Sequence, residues 1–212
     1  HGQNFLKSIN LPTTITSIGT QAFGNSQYLK TINISSSVNS IAFRSFELCA
    51  AFINVDSNNP NYSSVDGVLF SKNQTTIIHC PVSKTGNYMI PASVNSIEPR
   101  AFWGCTKLAS VTIPPSVNSI GDYAFWECEG LANIDIPSSV TLIEDAAFAA
   151  SSGLVNVDAG NSKYSSIDGN LFNKTQTELI HCPTSINGSY IIPSSVSSIG
   201  NSAFYNCYGL TS

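Results

Sequence analysis

The hydrophobic positions of this chain recur at fixed spacing in six short units. In the clearest unit the order of apolar and special positions is Ile97, Ala101-Phe102, Cys105, Leu108, Val111, Ile113 and Pro114, and the same order returns 23 residues later. Anchored on phenylalanine, the units fall at Phe23, Phe46, Phe102, Phe125, Phe148 and Phe204. A fixed period in the twenties is typical of a solenoid, in which each unit packs only against its neighbours.

A second, longer period is superimposed on the short one. The steps between the phenylalanines are 23, 56, 23, 23 and 56 residues, so the whole pattern repeats after 102 residues. We therefore interpret residues 1–212 as one solenoid domain holding two super-repeats, at about 6–107 and 108–209. Leu6 and Leu210 occupy equivalent positions inside a unit, and we expect the chain to be a fragment of a longer array.

The pattern inside one unit predicts its local structure. The segment 108–113 reads L-x-x-V-x-I, which alternates like a strand with one buried face, and Pro114 ends it because proline cannot donate to a strand ladder. Ala124-Phe125, Cys128 and Leu131 follow a three-residue spacing that predicts a short helical or 3₁₀ turn. Stacked units would form a parallel sheet, and the six phenylalanines would form a continuous buried spine.

The two 56-residue steps contain an additional element. The segments 62–70 and 164–172 both have the form Y-S-S-(V/I)-D-G-x-L-F, and each is followed by Ile-His-Cys-Pro. Asp-Gly is a tight-turn signal, and the apolar runs on either side of a Ser/Lys/Asn/Gln/Thr stretch predict a hairpin. We interpret these steps as enlarged coils that carry an extra hairpin.

Composition narrows the class of protein. The chain is 42% apolar, enough for a continuous core, but only 10% of its residues are charged, compared with about 25% in average domains. Such a surface suits an extracellular protein. The net charge is −4 with two arginines, so there is no basic stripe for nucleic acid. No run of about 18 apolar residues is present, so we expect no membrane span in the chain.

These residues carry a resemblance to a known family. The repeated motif S-V-x-S-I-G-x-x-A-F-x-x-C-x-x-L-x-x-I-x-I-P resembles the BspA-like leucine-rich repeat family over essentially all 212 residues, and the Y-S-S-V-D-G-V-L-F insert resembles its long variant repeat. The resemblance implies a right-handed curved solenoid with a parallel sheet on its concave face. It also implies a surface or secreted protein of a bacterium or protozoan with a role in adhesion. It implies no catalytic residues and no cofactor.

Outward positions of the strands offer one candidate binding surface. Aligning Phe52 with the leucine position places five polar residues between the two inward residues of their strands: Asn33, Asp56, Thr112, Asp135 and Asp158. Asp135 and Asp158 would then approach within about 5 Å on neighbouring strands, enough to attract a cation or a basic partner. The alternative interpretation is a solvated polar face.

An aromatic position offers a second candidate surface. Trp103, Trp126 and Tyr205 share the position directly after the spine phenylalanine. Trp103 and Trp126 belong to neighbouring units and would form an exposed patch for a sugar or a protein. The alternative is that these side chains pack within their own coils.

The cysteines and histidines give weaker signals. Cys49, Cys105, Cys128 and Cys207 share one repeat position, which is serine in two other units and therefore favours small buried thiols over disulfides. Within that position, the pair to check for a bridge is Cys105–Cys128. His79-Cys80 and His181-Cys182 lie about 19 Å apart in a stacked array, too far to share a metal ion. We expect no metal site, with the cysteines inward and the histidines outward.

No catalytic motif is present in the sequence. The chain lacks G-x-S-x-G, G-x-G-x-x-G and the P-loop pattern. The sequence therefore favours a non-enzymatic module that binds an extracellular protein or glycan at the cell surface or after secretion. The alternative is a structural spacer that displays another domain and binds nothing itself.

Overall fold

A computed structural model describes residues 7–211 of the chain. In this range the chain forms a β-solenoid of about nine turns, which confirms the solenoid fold, and it contains strands and turns but no helix. Leu6, which the sequence pattern assigns to the first leucine position and to the start of the first super-repeat, lies outside the described residues.

The described residues contain short strands with a regular order along the chain. They are β1 (Ser8–Asn10), β2 (Ser17–Ile18), β3 (Thr31–Ile34), β4 (Ser40–Ile41), β5 (Phe52–Val55), β6 (Tyr62–Val65), β7 (Val68–Ser71), β8 (Thr76–His79), β9 (Gly86–Met89), β10 (Ser96–Ile97), β11 (Leu108–Thr112), β12 (Ser119–Ile120), β13 (Asn133–Ile136), β14 (Leu142–Ile143), β15 (Leu154–Val157), β16 (Tyr164–Ile167), β17 (Asn170–Asn173), β18 (Glu178–His181) and β19 (Ser198–Ile199).

The strands form two sides of the solenoid. The leucine-strand side consists of the parallel sheets β1-β3-β5 and β9-β11-β13-β15. The short-strand side holds β2-β4, the six-stranded sheet β14-β12-β10-β8-β7-β6 and the sheet β16-β17-β18-β19. Parallel pairs join equivalent residues of adjacent coils, as Ile97 pairs with Ile120. A single stack of coils therefore supplies both sides.

Each predicted hairpin is present, and its tip closes a sheet edge. β6, β7 and β8 run antiparallel in turn, and the tight turn at Asp66-Gly67 has positive φ at both residues (49° and 79°), as expected for Asp-Gly. The amide of Ile53 in β5 donates to the carbonyl of Gly67 over 3.0 Å. A Cβ at Gly67 would lie 2.0 Å from the ring of Phe52, so only glycine fits there. The hairpin thus covers an edge strand that would otherwise expose unpaired amides.

The turns that carry the phenylalanines differ from the helical or 3₁₀ turns predicted for them. The amide of Trp103 donates to Arg100 three residues back, whereas the amide of Phe102 donates to Ala124 in the next coil. A helix would direct every amide to its own coil, so this alternation gives consecutive turns instead. The three-residue spacing in the sequence fits both structures, which is why it misled the prediction.

The turns require left-handed backbone at two positions of every unit. The residues two before and two after each spine phenylalanine all have φ between 53° and 71°, and of the twelve only Gly104 is glycine. Left-handed φ costs a non-glycine residue about 1 kcal/mol or more. The amide bonds between coils and the buried rings hold the turns in this conformation. The left-handed residues are Gln21, Asn25, Arg44, Leu48, Arg100, Gly104, Tyr123, Glu127, Ala146, Ala150, Ser202 and Asn206.

Glycine substitutions at adjacent buried alanines should separate this strain from ordinary packing. Ala146 has φ of 53°, whereas its buried neighbour Ala147 does not have positive φ. We expect Ala147→Gly to reduce the free energy of unfolding by about 1 kcal/mol, and Ala146→Gly to change it by less than about 0.5 kcal/mol because relief of strain offsets the loss. Urea unfolding of both variants measures the difference, and equal losses would contradict the strain.

The core follows the phenylalanine spine. Phe46, Phe102, Phe125 and Phe148 are buried, whereas Phe23 and Phe204, near the two ends of the described chain, are half-buried. The rings stack along the solenoid, with 4.8 Å between the ring centres of Phe102 and Phe125 and 5.4 Å between those of Phe125 and Phe148. The spine is thus a column of face-to-face aromatic contacts that links successive coils.

Candidate functional site

The outward residues of the leucine strands follow a register different from the predicted one. In β13 and β15, Asp135 pairs with Asn156, so Asp158 lies beyond the strand and not beside Asp135. In β3 and β5, Asn33 pairs with Asn54, and Asp56 again follows the strand. The prediction that Asp56 and Asp158 occupy the outward strand position is therefore wrong. Thr112, Asp135 and Asn33 do lie on their strands.

A two-residue shift before each hairpin explains the difference. Ile53 pairs with Ile32 and Val55 with Ile34, so the alternating apolar pair of β5 keeps the inward positions. The predicted register would have placed the polar Ser57 inward. Asp56 instead accepts the amide of Asn58 over 2.8 Å, an arrangement typical of a turn. Asp158 accepts the amide of Gly160 over the same distance.

Amide side chains on this surface bond to one another along the stack. The Asn33 side chain donates to Asn10, and Asn54 Nδ2 donates to Asn33 Oδ1 over 2.9 Å. In the second super-repeat Asn156 Nδ2 donates to Asp135 Oδ1 over 3.0 Å. These polar groups are already engaged with their neighbours, so the strip stabilises the stack and leaves few free groups for a partner.

The three candidate aromatic residues, in contrast, are brought together in one cluster. The ring centres of Trp103 and Trp126 lie 6.1 Å apart, and those of Trp126 and Tyr205 lie 4.7 Å apart. Tyr123, which the sequence analysis missed, lies between the two tryptophans, 6.0 Å and 5.2 Å from them. We call Trp103, Tyr123, Trp126 and Tyr205 the aromatic patch. Tyr205 is 46% exposed, and the other three are half-buried.

Small residues beneath the patch allow its rings to meet. Ala149 and Ala150 occupy the turn between the coils of Trp126 and Tyr205, and both are fully covered. With no bulk at these positions, the Trp126 and Tyr205 rings can touch across a coil and the second hairpin. In the first super-repeat the residues 102 positions earlier are Gly24 for Trp126 and Glu47 for Ala149. The patch is therefore built by side chains that differ between the two copies.

Arg100 fixes one end of the patch. Its guanidinium carbon lies 4.3 Å from the ring centre of Trp103 and 4.7 Å from that of Tyr123, which are cation–π distances. Its Nη1 lies 2.8 Å from Glu47 Oε1, and Arg44 bonds to the other carboxylate oxygen of Glu47. Burial raises the pKa of Glu47, but the hydrogen bonds from Arg44 and Gln21 and the two arginine charges outweigh it and lower the pKa overall.

A shared repeat position was the signal that could have identified these residues. Tyr123 and Arg100 both stand two residues before a spine phenylalanine, and the candidate tryptophans stand one residue after it. In the observed turns, side chains at these two positions meet on the outer surface. The sequence analysis considered only one of the two positions, because the turns were expected to be helical.

The two histidines are buried, so the prediction that they point outward is wrong. His79 and His181 are 5% and 3% exposed. Each lies 23 residues before a spine phenylalanine and takes a place in the aromatic column: the His79 ring centre lies 5.7 Å from that of Phe46, and His181 lies 6.2 Å from Phe148. Burial lowers the pKa of His79 to about 4 and that of His181 to about 3.

A cleft opens where the first hairpin enters the stack. It has a volume of about 280 Å³ and lies between the coil of Phe46 and the coil of Phe102. Its walls include Phe43, Tyr62, His79, Pro99 and Arg100. Arg100 therefore borders both the cleft and the aromatic patch, and the two form one continuous surface.

The cysteines are free thiols, and their neighbours differ from the predicted ones. Cys128 Sγ donates to the carbonyl of Phe102 over 3.2 Å, whereas the Cys105 thiol contacts Cys80. Cys207 bonds in the same way to the carbonyl of Cys182 over 3.3 Å. Burial raises the pKa of Cys182 to about 12, so the thiols behave as small core residues.

Two further searches concern metals and membranes. Among residues 7–211, no three His, Cys, Asp or Glu side chains come together in a way that could hold a metal ion. The same part of the chain has no helix of the length and hydrophobicity needed to cross a membrane.

Comparison with known proteins places the chain in a family. The BspA type leucine rich repeat region matches residues 2–89 and 82–211, in six copies. No curated protein matches the sequence. Among solved structures, a leucine-rich repeat protein from Eubacterium ventriosum is 26% identical with a TM-score of 0.70, over 98% of this chain and 60% of that one.

Two other solved structures share the fold at lower identity. A leucine rich cell surface protein from Faecalibacterium prausnitzii is 23% identical with a TM-score of 0.60, over 99% of this chain and 63% of that one. The pneumococcal vaccine antigen PcpA is also 23% identical, with a TM-score of 0.53 over 94% of this chain and 52% of PcpA. The chain spans less than two thirds of each of these three proteins. With the family match along nearly its whole length, the chain belongs to the BspA-type leucine-rich repeat family.

Proposed function

We propose that this chain is a non-enzymatic binding module of a cell-surface or secreted protein, and that the aromatic patch contacts an extracellular protein or glycan. The observation that carries the proposal is the cluster of Trp103, Tyr123, Trp126 and Tyr205, linked by ring contacts of 4.7 to 6.1 Å on one outer surface. In a chain with few charges, this cluster is the strongest candidate for recognition.

Physical properties of the patch favour binding. Aromatic side chains offer a large contact area for a small loss of conformational entropy, and tryptophan, tyrosine and arginine dominate the energetics of protein interfaces. Arg100 and the alanines beneath the rings hold the patch in place before a partner arrives. A preformed surface reduces the entropy lost on binding.

The location of the protein is proposed from composition and from its relatives. One structural relative is described as a cell surface protein, and another as a vaccine antigen. The chain itself has a polar, charge-poor surface with 10% charged residues. These features support a position at the cell surface or outside the cell.

Differences between the two super-repeats favour binding over a spacer role. A spacer needs length, so its outward positions can be copied unchanged. Here Gly24 and Glu47 in the first copy become Trp126 and Ala149 in the second, and these changes create the patch. Outward positions that diverge while the core is kept are typical of a solenoid with a binding surface.

A binding screen with matched variants tests the proposal. The chain would be screened on immobilised matrix proteins and glycans, beside Trp126→Ala/Tyr205→Ala and, as control, Tyr208→Ala, which removes an 89% exposed aromatic outside the patch. We expect a saturable ligand whose affinity falls at least about tenfold in the double variant and not in the control. A folded chain that binds nothing would support the spacer, and a ligand that tolerates the double variant would exclude the patch.

A further inference from the structure

The cleft beside the first hairpin contains polar atoms that lack partners. His79 lines the cleft and is 5% exposed, its imidazole bonds to the backbone of Cys49, and its Nε2 has no hydrogen-bond partner. A neutral imidazole that donates through Nδ1 presents Nε2 as an acceptor. The buried Nε of Arg100 is likewise unpaired and is a donor. Unpaired buried groups are uncommon in folded proteins and require an explanation.

The remaining walls supply apolar surface and one more donor. Phe43, Phe46 and Pro99 form apolar sides of the cleft. The Tyr62 oxygen accepts the amide of Ile41 over 3.0 Å, so its own hydroxyl proton is left to donate. An unpaired acceptor, two donors and apolar walls converge on a space of about 280 Å³.

The charges of the cleft are balanced within the protein. Both arginines in its wall, Arg44 and Arg100, form ion pairs with Glu47 at 2.7 and 2.8 Å. Glu98 at the rim adds a further acid, and burial together with the neighbouring Glu144 raises its pKa. No cation is left to bind an anion. The cleft therefore suits a neutral ligand that both donates and accepts hydrogen bonds.

The second super-repeat provides an internal comparison. His181 is the counterpart of His79, but its Nε2 lies 3.4 Å from Ser151 Oγ, where the first copy has Cys49. His181 does not line the corresponding cleft. The counterparts of Arg44 and Arg100 there are Ala146 and Ser202. The same fold can thus satisfy the histidine internally, and only the first copy leaves its nitrogen unpaired beside a cleft.

We propose that this cleft is a binding site for a single saccharide unit, whose hydroxyls donate to His79 Nε2 and accept from Tyr62 and Arg100 while its ring packs on Phe43 and Pro99. Hydroxyl groups supply donors and acceptors without charge, which matches the cleft. This inference rests on the proposed function and deepens it, because Arg100 joins the cleft to the aromatic patch. A terminal sugar in the cleft would place the next units of a glycan over Trp103 and Tyr123.

The test follows the imidazole nitrogen signals of the two histidines in the ¹⁵N-labelled chain. Methyl glycosides of glucose, galactose, mannose and N-acetylglucosamine are added one at a time at pH 7.5. We expect at least one to shift the His79 Nε2 signal in a saturable manner, with a Kd of about 1 mM, while the His181 signal stays in place. The matched variants are His79→Phe, which should abolish the binding, and His181→Phe, which should retain it.

Two outcomes would overturn the proposal: no glycoside moves the His79 signal, or both histidine signals move alike. The Trp126→Ala/Tyr205→Ala variant separates this inference from the proposed function. It should bind the methyl glycoside with unchanged affinity but lose the larger ligand. Loss of the larger ligand without any glycoside binding would exclude the saccharide site and keep the patch. Glycoside binding without any larger ligand would do the reverse.

Discussion

Lowering the pH from 7.5 to 4.5 is expected to reduce the free energy of unfolding by about 5 kcal/mol through the two buried histidines, about 2.5 kcal/mol from each. Burial lowers the pKa of His79 to about 4 and that of His181 to about 3. In the unfolded chain both titrate near pH 6.5. The unfolded state therefore binds protons that the folded state does not, and stability falls as the pH drops.

The sign and the range of this effect follow from the two pKa values. Above pH 6.5 both states are neutral at the histidines, and their contribution to stability is complete. As the pH falls below 6.5 the contribution is lost progressively, and the loss levels off near pH 4 for His79 and near pH 3 for His181. Urea unfolding at a series of pH values measures the curve.

A double variant isolates the histidines from the carboxylates that titrate in the same range. In His79→Phe/His181→Phe the aromatic column is continued by the residue that occupies it in the other coils, and no imidazole remains at these positions. We expect this variant to lose much less stability between pH 7.5 and 4.5 than the parent chain. An equal loss in both proteins would show that the histidines are not the cause.

Replacing Phe125 with alanine is expected to destabilise the chain by about 3–5 kcal/mol. Phe125 is 1% exposed, and its ring stacks on Phe102 on one side and on Phe148 on the other. The substitution leaves a cavity and also removes two aromatic contacts, each worth about 0.5–1.5 kcal/mol. Because coils of a solenoid depend on their neighbours, the loss should also reduce the cooperativity of unfolding. Thermal and urea unfolding provide the measurements.

Two other variants define the scale of this effect. Phe125→Leu keeps most of the volume and should cost about 1.5 kcal/mol or less. Phe23→Ala removes a half-buried ring with a stacking partner in Phe46 and should cost less than Phe125→Ala. If all three variants lost the same stability, the stacked column would not be a cooperative core.

Much of the fold can be predicted from the sequence because the signal is repeated. One alternating strand is weak evidence, but ten equivalent positions in six units define the stack, the inward residues and the place of each hairpin. Asp66-Gly67 shows why: the two positive φ values of its turn are accessible to these residue types and to few others. The family resemblance pointed to the same solenoid, and the match along the chain confirms it.

The sequence could not predict features that depend on competition between coils. Phe52 and Leu154 follow the leucine spacing, yet the strands shift by two residues because Ile53 and Val155 then fill the buried positions. The helical spacing around Phe125 was equally compatible with left-handed turns. Only amide bonds to the neighbouring coil decide between the two structures.

The candidate site divides in the same way between sequence and tertiary structure. The sequence by itself determined the repeat, the phenylalanine spine and the positions of Trp103, Trp126 and Tyr205, because each follows from residue type at fixed spacing. Tertiary structure decided that Trp126 meets Tyr205 across Ala149, that Arg100 joins the patch to a cleft, and that His79 is buried with a free nitrogen. These features depend on side chains from coils that are distant in sequence, and the spacing within one unit carries no information about which of them will touch.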